Sequence, residues 1–272
     1  MKRELDLLLR RKLSPRAYKT AITYWRYRLF WQQRAAARFV KRRPRVDGFP
    51  DGRTGGLVDR LHGVNVLAPT PMCLAMHWQG SDKSLWRHNY TTIYDALLGN
   101  SRDKPLRIFE LGLGSNNLEF AFNMGADGVP GASLRGWKEL FPNARIFGAD
   151  IDRGALFQED RIQTSYCDQL DKIAIRQMWS QPGFSDEMDV IIDDGLHTFE
   201  GNTVFLNESL GHLRPGGTYV VEDIATTTLT QWRDFLASDF TPRFPKYEYA
   251  LAQLPNAFNR RDNNLLLIRS QA

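Results

Sequence analysis

The stretch that decides the fold is LRIFELGLG, residues 106–114, an apolar run that ends in two closely spaced glycines. Its β-branched and aromatic residues predict a buried strand, and its glycines allow the backbone to approach a ligand closely. Two similar runs follow, ARIFGADID (144–152) and MDVIIDDG (188–195), and both end in or just after acidic residues. Such strands are typical of a parallel sheet that binds ligands at its carboxyl edge.

Strands and helices alternate over residues 80–272. The predicted strands are 106–112, 144–152, 161–168, 188–195, 218–224, 246–251 and 264–270. The predicted helices are 86–98, 133–141 with Ser133 as its N-cap, 173–179, 199–213 and 232–240. This alternation predicts an α/β fold with a parallel sheet and helices on both faces, and the last two strands are expected to pair antiparallel at an edge.

Charge separates the first 45 residues from the rest of the chain. They hold 15 of the 36 Lys and Arg residues but only two of the 31 acids, a net charge of +13, which leaves −8 for residues 46–272. Residues 1–45 are predicted to form a basic amphipathic helical arm in which aromatic residues alternate with arginines. We expect the arm to pack on the body or on a second subunit. An anionic membrane surface is an alternative, and nucleic acid is the least favoured partner.

Composition sets broader limits. A length of 272 residues, with 42% hydrophobic and 25% charged residues, excludes wholesale disorder and fits one large domain with an appendage. Cys73 and Cys167 are too few for a disulfide scaffold. Residues 46–79 are rich in glycine and proline and are predicted to be a loop-rich connection. With no signal-peptide core and no apolar stretch of about 20 residues, we expect a cytoplasmic protein, with peripheral attachment at the inner membrane face left open.

Acidic residues end each of the first five predicted strands. They are Glu110, Asp150, Asp152, Asp168, Asp193, Asp194, Glu222 and Asp223. Because the carboxyl ends of parallel strands meet at one edge of a sheet, we expect these side chains to converge, although any one of them could simply cap a turn. Asp150 fits an acceptor for ribose hydroxyls, with Asp152 as the alternative. Asn117 stands where a third glycine would complete a dinucleotide loop, which counts against a pyrophosphate site.

These motifs resemble the class I S-adenosylmethionine-dependent methyltransferases, and more narrowly the metal-dependent macrolide-sugar O-methyltransferase family. The matching stretches keep the family's order: SDKSLWRHNYTTIYDALL (81–98), FELGLG (109–114), GASLRGWKELFPNARIFGADID (131–152), CDQLD (167–171), VIIDDGLH (190–197) and RPGGTYVVEDIATT (214–227). The resemblance does not extend to the basic arm. It implies a methyltransferase domain over 80–272 with a Rossmann-like, seven-stranded, mostly parallel sheet. It also implies S-adenosylmethionine and Mg²⁺, or a similar divalent cation, as cofactors.

The resemblance also assigns residues to S-adenosylmethionine. The cofactor-binding residues it implies are Glu110, Gly112, Gly114 and Ser133 around the methionine part, Asp150 at the ribose, and Asp168 and Gln169 near adenine. Lys83, His88 and Tyr90 match a family segment close to the cofactor.

The acids after the fourth and fifth strands suggest a metal site. Asp194 is expected to face Glu222 and Asp223, and three converging carboxylates are costly unless a cation joins them or one is protonated. Oxygen ligands favour Mg²⁺ over Zn²⁺. The family implies the same three residues as metal ligands.

His197 follows Asp194 by three residues and is expected to be the general base, with Asp194 as its catalytic partner. The sequence departs from the family here. Gly201 stands where a second histidine often occurs, and Leu196 replaces a small polar residue. His62, His77 and His212 have no comparable context and are interpreted as structural.

Together these observations predict an O-methyltransferase that acts on a hydroxyl of a sugar or glycosylated small molecule, including a lipid-linked or surface glycan precursor. Two alternatives stay open: another activity on the same scaffold, as in hydroxylase-labelled relatives, and a non-catalytic module that binds a membrane or partner through the arm. Assembly into a homo-oligomer also stays open.

Overall fold

The computed structural model describes residues 43–48, 56–84, 87–120, 123–125, 128–256 and 259–270. The helices predicted for the basic arm therefore lie outside the described residues. Within the described ranges, no helix is both long enough and apolar enough to cross a membrane.

The described residues form one nine-stranded sheet in the order β1-β8-β9-β7-β6-β2-β3-β5-β4. The strands are β1 (Arg45–Asp47), β2 (Arg107–Leu111), β3 (Arg145–Asp150), β4 (Gln158–Glu159), β5 (Ile162–Tyr166), β6 (Met188–Asp193), β7 (Leu213–Val221), β8 (Tyr247–Gln253) and β9 (Asn264–Ser270). Strands β5, β3, β2, β6 and β7 pair in parallel, and β9 runs antiparallel to both β7 and β8. The predicted α/β sheet is confirmed. All seven predicted strands are present, and the short β1 and β4 extend its edges.

Helices cover both faces of the sheet. They are α1 (Gly56–His62), α2 (Pro71–Gln79), α3 (Tyr90–Leu98), α4 (Ala132–Leu140), α5 (Lys172–Trp179), α6 (Phe199–Ser209), α7 (Leu229–Phe235) and the single turn α8 (Thr241–Arg243). One buried apolar layer contains Trp137 and the other contains Trp179 and Trp232. The apolar runs of β2, β3 and β6 lie between the two layers, which explains why these strands have no polar face.

Several predicted boundaries are wrong. Strand β7 begins at Leu213 rather than at residue 218, and helix α7 begins at Leu229 rather than at residue 232. Helix α3 begins at Tyr90 rather than at residue 86, because the preceding segment turns and brings His88 into the protein interior. Helix α6 ends at Ser209 rather than at residue 213, because Leu213 already pairs with β6. The N-cap of α4 is Gly131, not Ser133. Gly131 has φ 72°, and a Cβ there would lie 2.3 Å from the Phe157 ring, so glycine is required.

The segment predicted as a loop-rich connection contains regular structure. It holds β1, which pairs with β8, and the helices α1 and α2. Leu57 and Leu61 of α1 are fully buried in the core. This part of the chain packs on the sheet, and the domain boundaries stay a prediction. Cys73 and Cys167 are both buried, and they do not form a disulfide with each other.

Candidate active site

The loop after β2 packs directly against the end of β6. Gly112 has φ 91°, and a Cβ there would lie 2.0 Å from the carbonyl oxygen of Asp194. The amide of Gly112 donates to the carbonyl of Ala149 in β3 at 2.8 Å, so this glycine joins the ends of three neighbouring strands. Gly114 also has a positive φ, 78°. The backbone conformation requires glycine at both positions. Because glycine has no side chain, the loop presents only main-chain atoms at these two positions of the carboxyl edge.

Asp150 ties the glycine loop to β3. Its carboxylate accepts from the Leu113 amide at 2.7 Å and from the Asp152 amide at 2.8 Å. Burial raises the pKa of Asp150, and these amides act in the opposite direction. Asp152 is less buried and accepts from the Ser115 hydroxyl and from the Gly154 amide. The ribose role of Asp150 stays a prediction, since loop anchoring already uses its carboxylate.

Glu110 and Ser133 meet, as the resemblance implies. The Ser133 hydroxyl donates to Oε1 of Glu110, and the Trp137 indole donates to Oε2 at 2.7 Å. Glu110 is fully buried, and burial raises its pKa while the nearby ammonium of Lys83 lowers it. Ser133 therefore lies in the first turns of α4 with its hydroxyl directed to β2, which is why it does not cap the helix.

The two residues expected near adenine have different surroundings. Asp168 accepts from the Leu170 amide at 2.9 Å and closes a turn. Gln169 is buried, donates to Asp193 at 2.8 Å and accepts from the Leu196 amide at 2.6 Å. Its amide group thus fixes the segment that leads from β6 to His197. The adenine role of Asp168 and Gln169 stays a prediction.

Asp193 anchors the same segment. It was named among the acids that end the predicted strands, but no separate role was assigned to it. It is fully buried and accepts from Gln169 and from the Asn202 side chain at 3.0 Å. Burial raises the pKa of Asp193 to about 6. Successive residues of a strand point to opposite faces, so Asp193 turns into the protein while Asp194 faces the edge. This alternation of side chains along the strand could have identified Asp193 as the inward-facing acid.

We expect Asn202→Leu to lower the free energy of unfolding by roughly 1.5–3 kcal/mol, the usual contribution of a hydrogen bond to a charged group. The Leu side chain is close in size to Asn and leaves Asp193 without one donor. Urea unfolding measures the change. Asn207→Leu on the same helix is the control, since Asn207 is exposed, donates to the Thr203 carbonyl and accepts only from the exposed side chain of Arg243 at 3.0 Å among the described residues. Equal losses in the two variants would contradict the anchoring role.

Lys83 joins the acids of three strands. Its Nζ lies 2.6 Å from Asp194 Oδ2, 2.5 Å from Glu222 Oε2 and 3.5 Å from Glu110 Oε1. Burial lowers the pKa of Lys83, and the three carboxylates raise it. The carboxylates dominate, so the pKa lies well above its ordinary value and the side chain remains an ammonium. The predicted convergence of Asp194 and Glu222 is therefore observed, and the cation between them is a lysine of the chain itself.

Glu222 is enclosed by the protein. The Tyr94 hydroxyl donates to its Oε1 at 2.5 Å, and Lys83 holds its Oε2. Burial raises the pKa of Glu222 well above its ordinary value, and Lys83 opposes that shift. Its predicted role as a metal ligand stays a prediction.

Asp194, His197 and Asp223 form the group that could hold a metal ion. One potential ligand atom from each lies within 4.8 Å of the others, and all three side chains are partly exposed. His197 Nδ1 lies 3.9 Å from Asp223 Oδ2. Two carboxylates and an imidazole suit a divalent cation, so the donor set fits the ion that the resemblance implies.

Asp223 contacts two side chains at the start of α3 and just before it. Its Oδ1 accepts from the Tyr90 hydroxyl at 2.7 Å and lies 3.3 Å from His88 Nδ1. Burial raises the pKa of Asp223, and His88 lowers it. Lys83, His88 and Tyr90, which the resemblance placed near the cofactor, therefore all contact acids of the carboxyl edge.

The backbone of this group is unusual. In the described ranges, the residues other than glycine with a positive φ are Arg161, His197 at 56° and Asp223 at 53°. Such conformations store on the order of 1–3 kcal/mol and persist where the surroundings enforce them, most often at functional sites. Two of the three occur in the candidate metal group.

Two apolar side chains remain exposed at the ends of β3 and β5. Ile151 directly follows Asp150 and is 44% exposed, and Leu170 lies two residues after Asp168 and is 49% exposed.

The comparisons with known proteins agree with the motifs, although no protein-family model matches the chain. The 8-demethyl-8-alpha-L-rhamnosyl tetracenomycin-C 2'-O-methyltransferase of Streptomyces olivaceus is 34% identical over 149 residues, 54% of this chain and 36% of that protein. The demethylmacrocin O-methyltransferase of Streptomyces fradiae is 31% identical over 158 residues, 58% of this chain and 34% of that protein. The chain thus matches about a third of the length of these relatives.

Among solved structures, the MycE methyltransferase from the mycinamycin biosynthetic pathway, in complex with Mg, SAH and mycinamycin VI, superposes with a TM-score of 0.57. The two sequences are 21% identical, and the superposition covers 74% of this chain and 55% of MycE. This likeness shows a shared fold. The sequence matches to the two Streptomyces enzymes confirm the predicted resemblance to the macrolide-sugar O-methyltransferases for the matched part of the chain.

Proposed function

From this similarity to sugar O-methyltransferases, we propose that the chain is an S-adenosylmethionine-dependent and divalent-metal-dependent O-methyltransferase. Its acceptor is a hydroxyl of a sugar or glycosylated small molecule. The observation that carries the proposal is the grouping of Asp194, His197 and Asp223 within 4.8 Å of one another, beside the glycine loop. The names of both relatives support the reaction class, and the rhamnosyl group in the first name supports a glycosylated acceptor.

The residues divide into two binding sets. Asp194 and Asp223 would hold the divalent ion, with Glu222 as a third ligand. The glycine loop, Glu110, Ser133 and the acids after β3 and β5 would hold S-adenosylmethionine. When bound, the ion would lower the pKa of the acceptor hydroxyl, and S-adenosylmethionine would supply the methyl group.

His197 takes the proton from the acceptor hydroxyl. Its ring is partly exposed at the carboxyl edge, and Asp223 Oδ2 lies 3.9 Å from Nδ1, where its charge stabilises the imidazolium that forms. Gln169 fixes the backbone of Leu196, one residue before the base. The remaining contribution of the chain is to hold the acceptor oxygen in line with the methyl group and to exclude water.

The test is a methyl-transfer assay on the full chain with labelled S-adenosylmethionine and Mg²⁺. The acceptors are a rhamnosylated polyketide, the matching aglycone and the free sugar. We expect label in the glycosylated acceptor and none in the aglycone. Binding of S-adenosylmethionine by calorimetry without transfer to any glycosylated acceptor would favour the non-catalytic alternative. Binding of a nicotinamide cofactor instead would favour a different activity on the same scaffold.

Residues 1–42 of the basic arm lie outside the described residues. Contact with an anionic membrane surface, contact with a second subunit, and a lipid-linked acceptor stay predictions.

A further inference from the structure

Lys83 is the cation of a carboxylate cluster, defined here as Glu110, Asp194 and Glu222. Within the described ranges, these three acids make ion pairs with Lys83 and with no other basic side chain. The side chain of Lys83 is 2% exposed, and those of Glu110 and Glu222 are 0% and 1% exposed. One ammonium therefore balances three carboxylates in a place from which water is largely excluded.

Asp194 belongs to two groups at once. Its Oδ2 contacts the ammonium of Lys83 at 2.6 Å, and it also lies in the candidate metal group with His197 and Asp223. A divalent ion at Asp194 would lie a few ångströms from the ammonium, and two cations at that distance repel each other strongly where screening is weak. The same carboxylate cannot serve both without a loss of affinity for one of them.

We propose that Lys83 is the resident cation of this cluster, a positioning residue that holds Asp194 and Glu222 in place before a divalent ion binds and competes with that ion for them. The inference rests on the metal dependence in the proposed function. It assigns to Lys83 two effects of opposite sign: it stabilises the metal-free protein, and it weakens metal binding.

Replacing Lys83 separates these effects. Lys83→Met keeps an unbranched apolar stem of similar reach and removes the charge, so the cluster loses the cation that balances it. Buried carboxylates without a partner are strongly destabilising, and a divalent ion then becomes the cation available to them. The folded state of the variant should depend on metal far more than that of the wild-type protein.

The experiment measures thermal unfolding and Mn²⁺ affinity on the full chain. In excess chelator, we expect Lys83→Met to lower Tm by roughly 6 °C or more. Excess Mg²⁺ should recover most of this loss, while the wild-type Tm changes much less between the two conditions. Mn²⁺ titration followed by electron paramagnetic resonance should show binding at least about tenfold tighter in the variant. Lys138→Met is the control, since Lys138 is only partly buried and lies 3.8 Å from Glu159.

Two outcomes overturn the proposal: a loss of Tm in Lys83→Met that Mg²⁺ does not recover, or Mn²⁺ binding that is unchanged or weaker. If Lys83→Met does not fold, Lys83→Met/Glu110→Gln is measured in its place, because it removes one of the unbalanced carboxylates and keeps the proposed metal ligands. Failure of this double variant to fold in Mg²⁺ also overturns the proposal. Absence of Mn²⁺ binding by the wild-type protein, with the loss of Tm in the variant intact, would instead contradict the proposed metal-dependent function.

Discussion

Removal of divalent ions is expected to abolish methyl transfer while binding of S-adenosylhomocysteine persists. Asp194 and Asp223 gather at the carboxyl edge with partly exposed carboxylates, which is the side from which an acceptor would enter. A bound ion supplies several kcal/mol of charge stabilisation, so its loss corresponds to a rate decrease of at least about 10³-fold. The rate is measured after chelation and dialysis, and again after Mg²⁺ is restored. Affinity for S-adenosylhomocysteine is measured by calorimetry in parallel.

A matched pair of variants localises this effect. Asp223→Asn removes a charge from the candidate metal group and should reproduce most of the loss of rate with Mg²⁺ present. Asp160→Asn removes a carboxylate whose side chain is 83% exposed and should leave the rate unchanged. Full turnover after exhaustive chelation would contradict metal dependence, even if both variants behaved as expected.

The carboxyl edge could be predicted because strand direction alone creates it. Apolar runs that end in Glu110, Asp150 and Asp194 are read directly from the sequence, and parallel pairing of β2, β3 and β6 then brings these ends together. Asp194 and Glu222 were expected to converge for the same reason, and they share one ammonium.

The identity of that ammonium could not be predicted from physical pattern. Lys83 precedes α3 in an irregular turn, 111 residues from Asp194, and no periodicity marks it as buried. A lysine is rarely buried unless it is paired, and the pairing depends on tertiary packing. The motif match placed Lys83 near the cofactor without showing its partners. Gln169 was expected near adenine, but its buried contact with Asp193 could not be predicted, since it joins loops from different strands.

Substitution of His197 is expected to lower turnover by roughly 10²–10⁴-fold, the usual contribution of a positioned general base. Its Nδ1 lies 3.9 Å from Asp223 Oδ2, and its side chain is 21% exposed, so the ring lies beside a carboxylate and is accessible to an acceptor. His197→Ala tests the loss of the ring. His197→Asn is the sharper variant because Asn tolerates the left-handed backbone at φ 56°, and it therefore separates the loss of the base from strain. His62→Ala, at an exposed position of α1, is the control and should retain full turnover.

The same variants distinguish a base from a metal ligand, since His197 lies within ligand distance of both aspartates. A base leaves Mn²⁺ affinity nearly unchanged when it is removed, and the loss then falls on kcat. A ligand weakens Mn²⁺ binding, and excess metal restores much of the rate. We expect the first result, because the Asp194 and Asp223 carboxylates supply the charge that attracts the ion, whereas the neutral imidazole adds none. Unchanged turnover in His197→Asn would remove His197 from the base role. If the rate of the variant instead increases in proportion to its Mn²⁺ occupancy, His197 is a metal ligand.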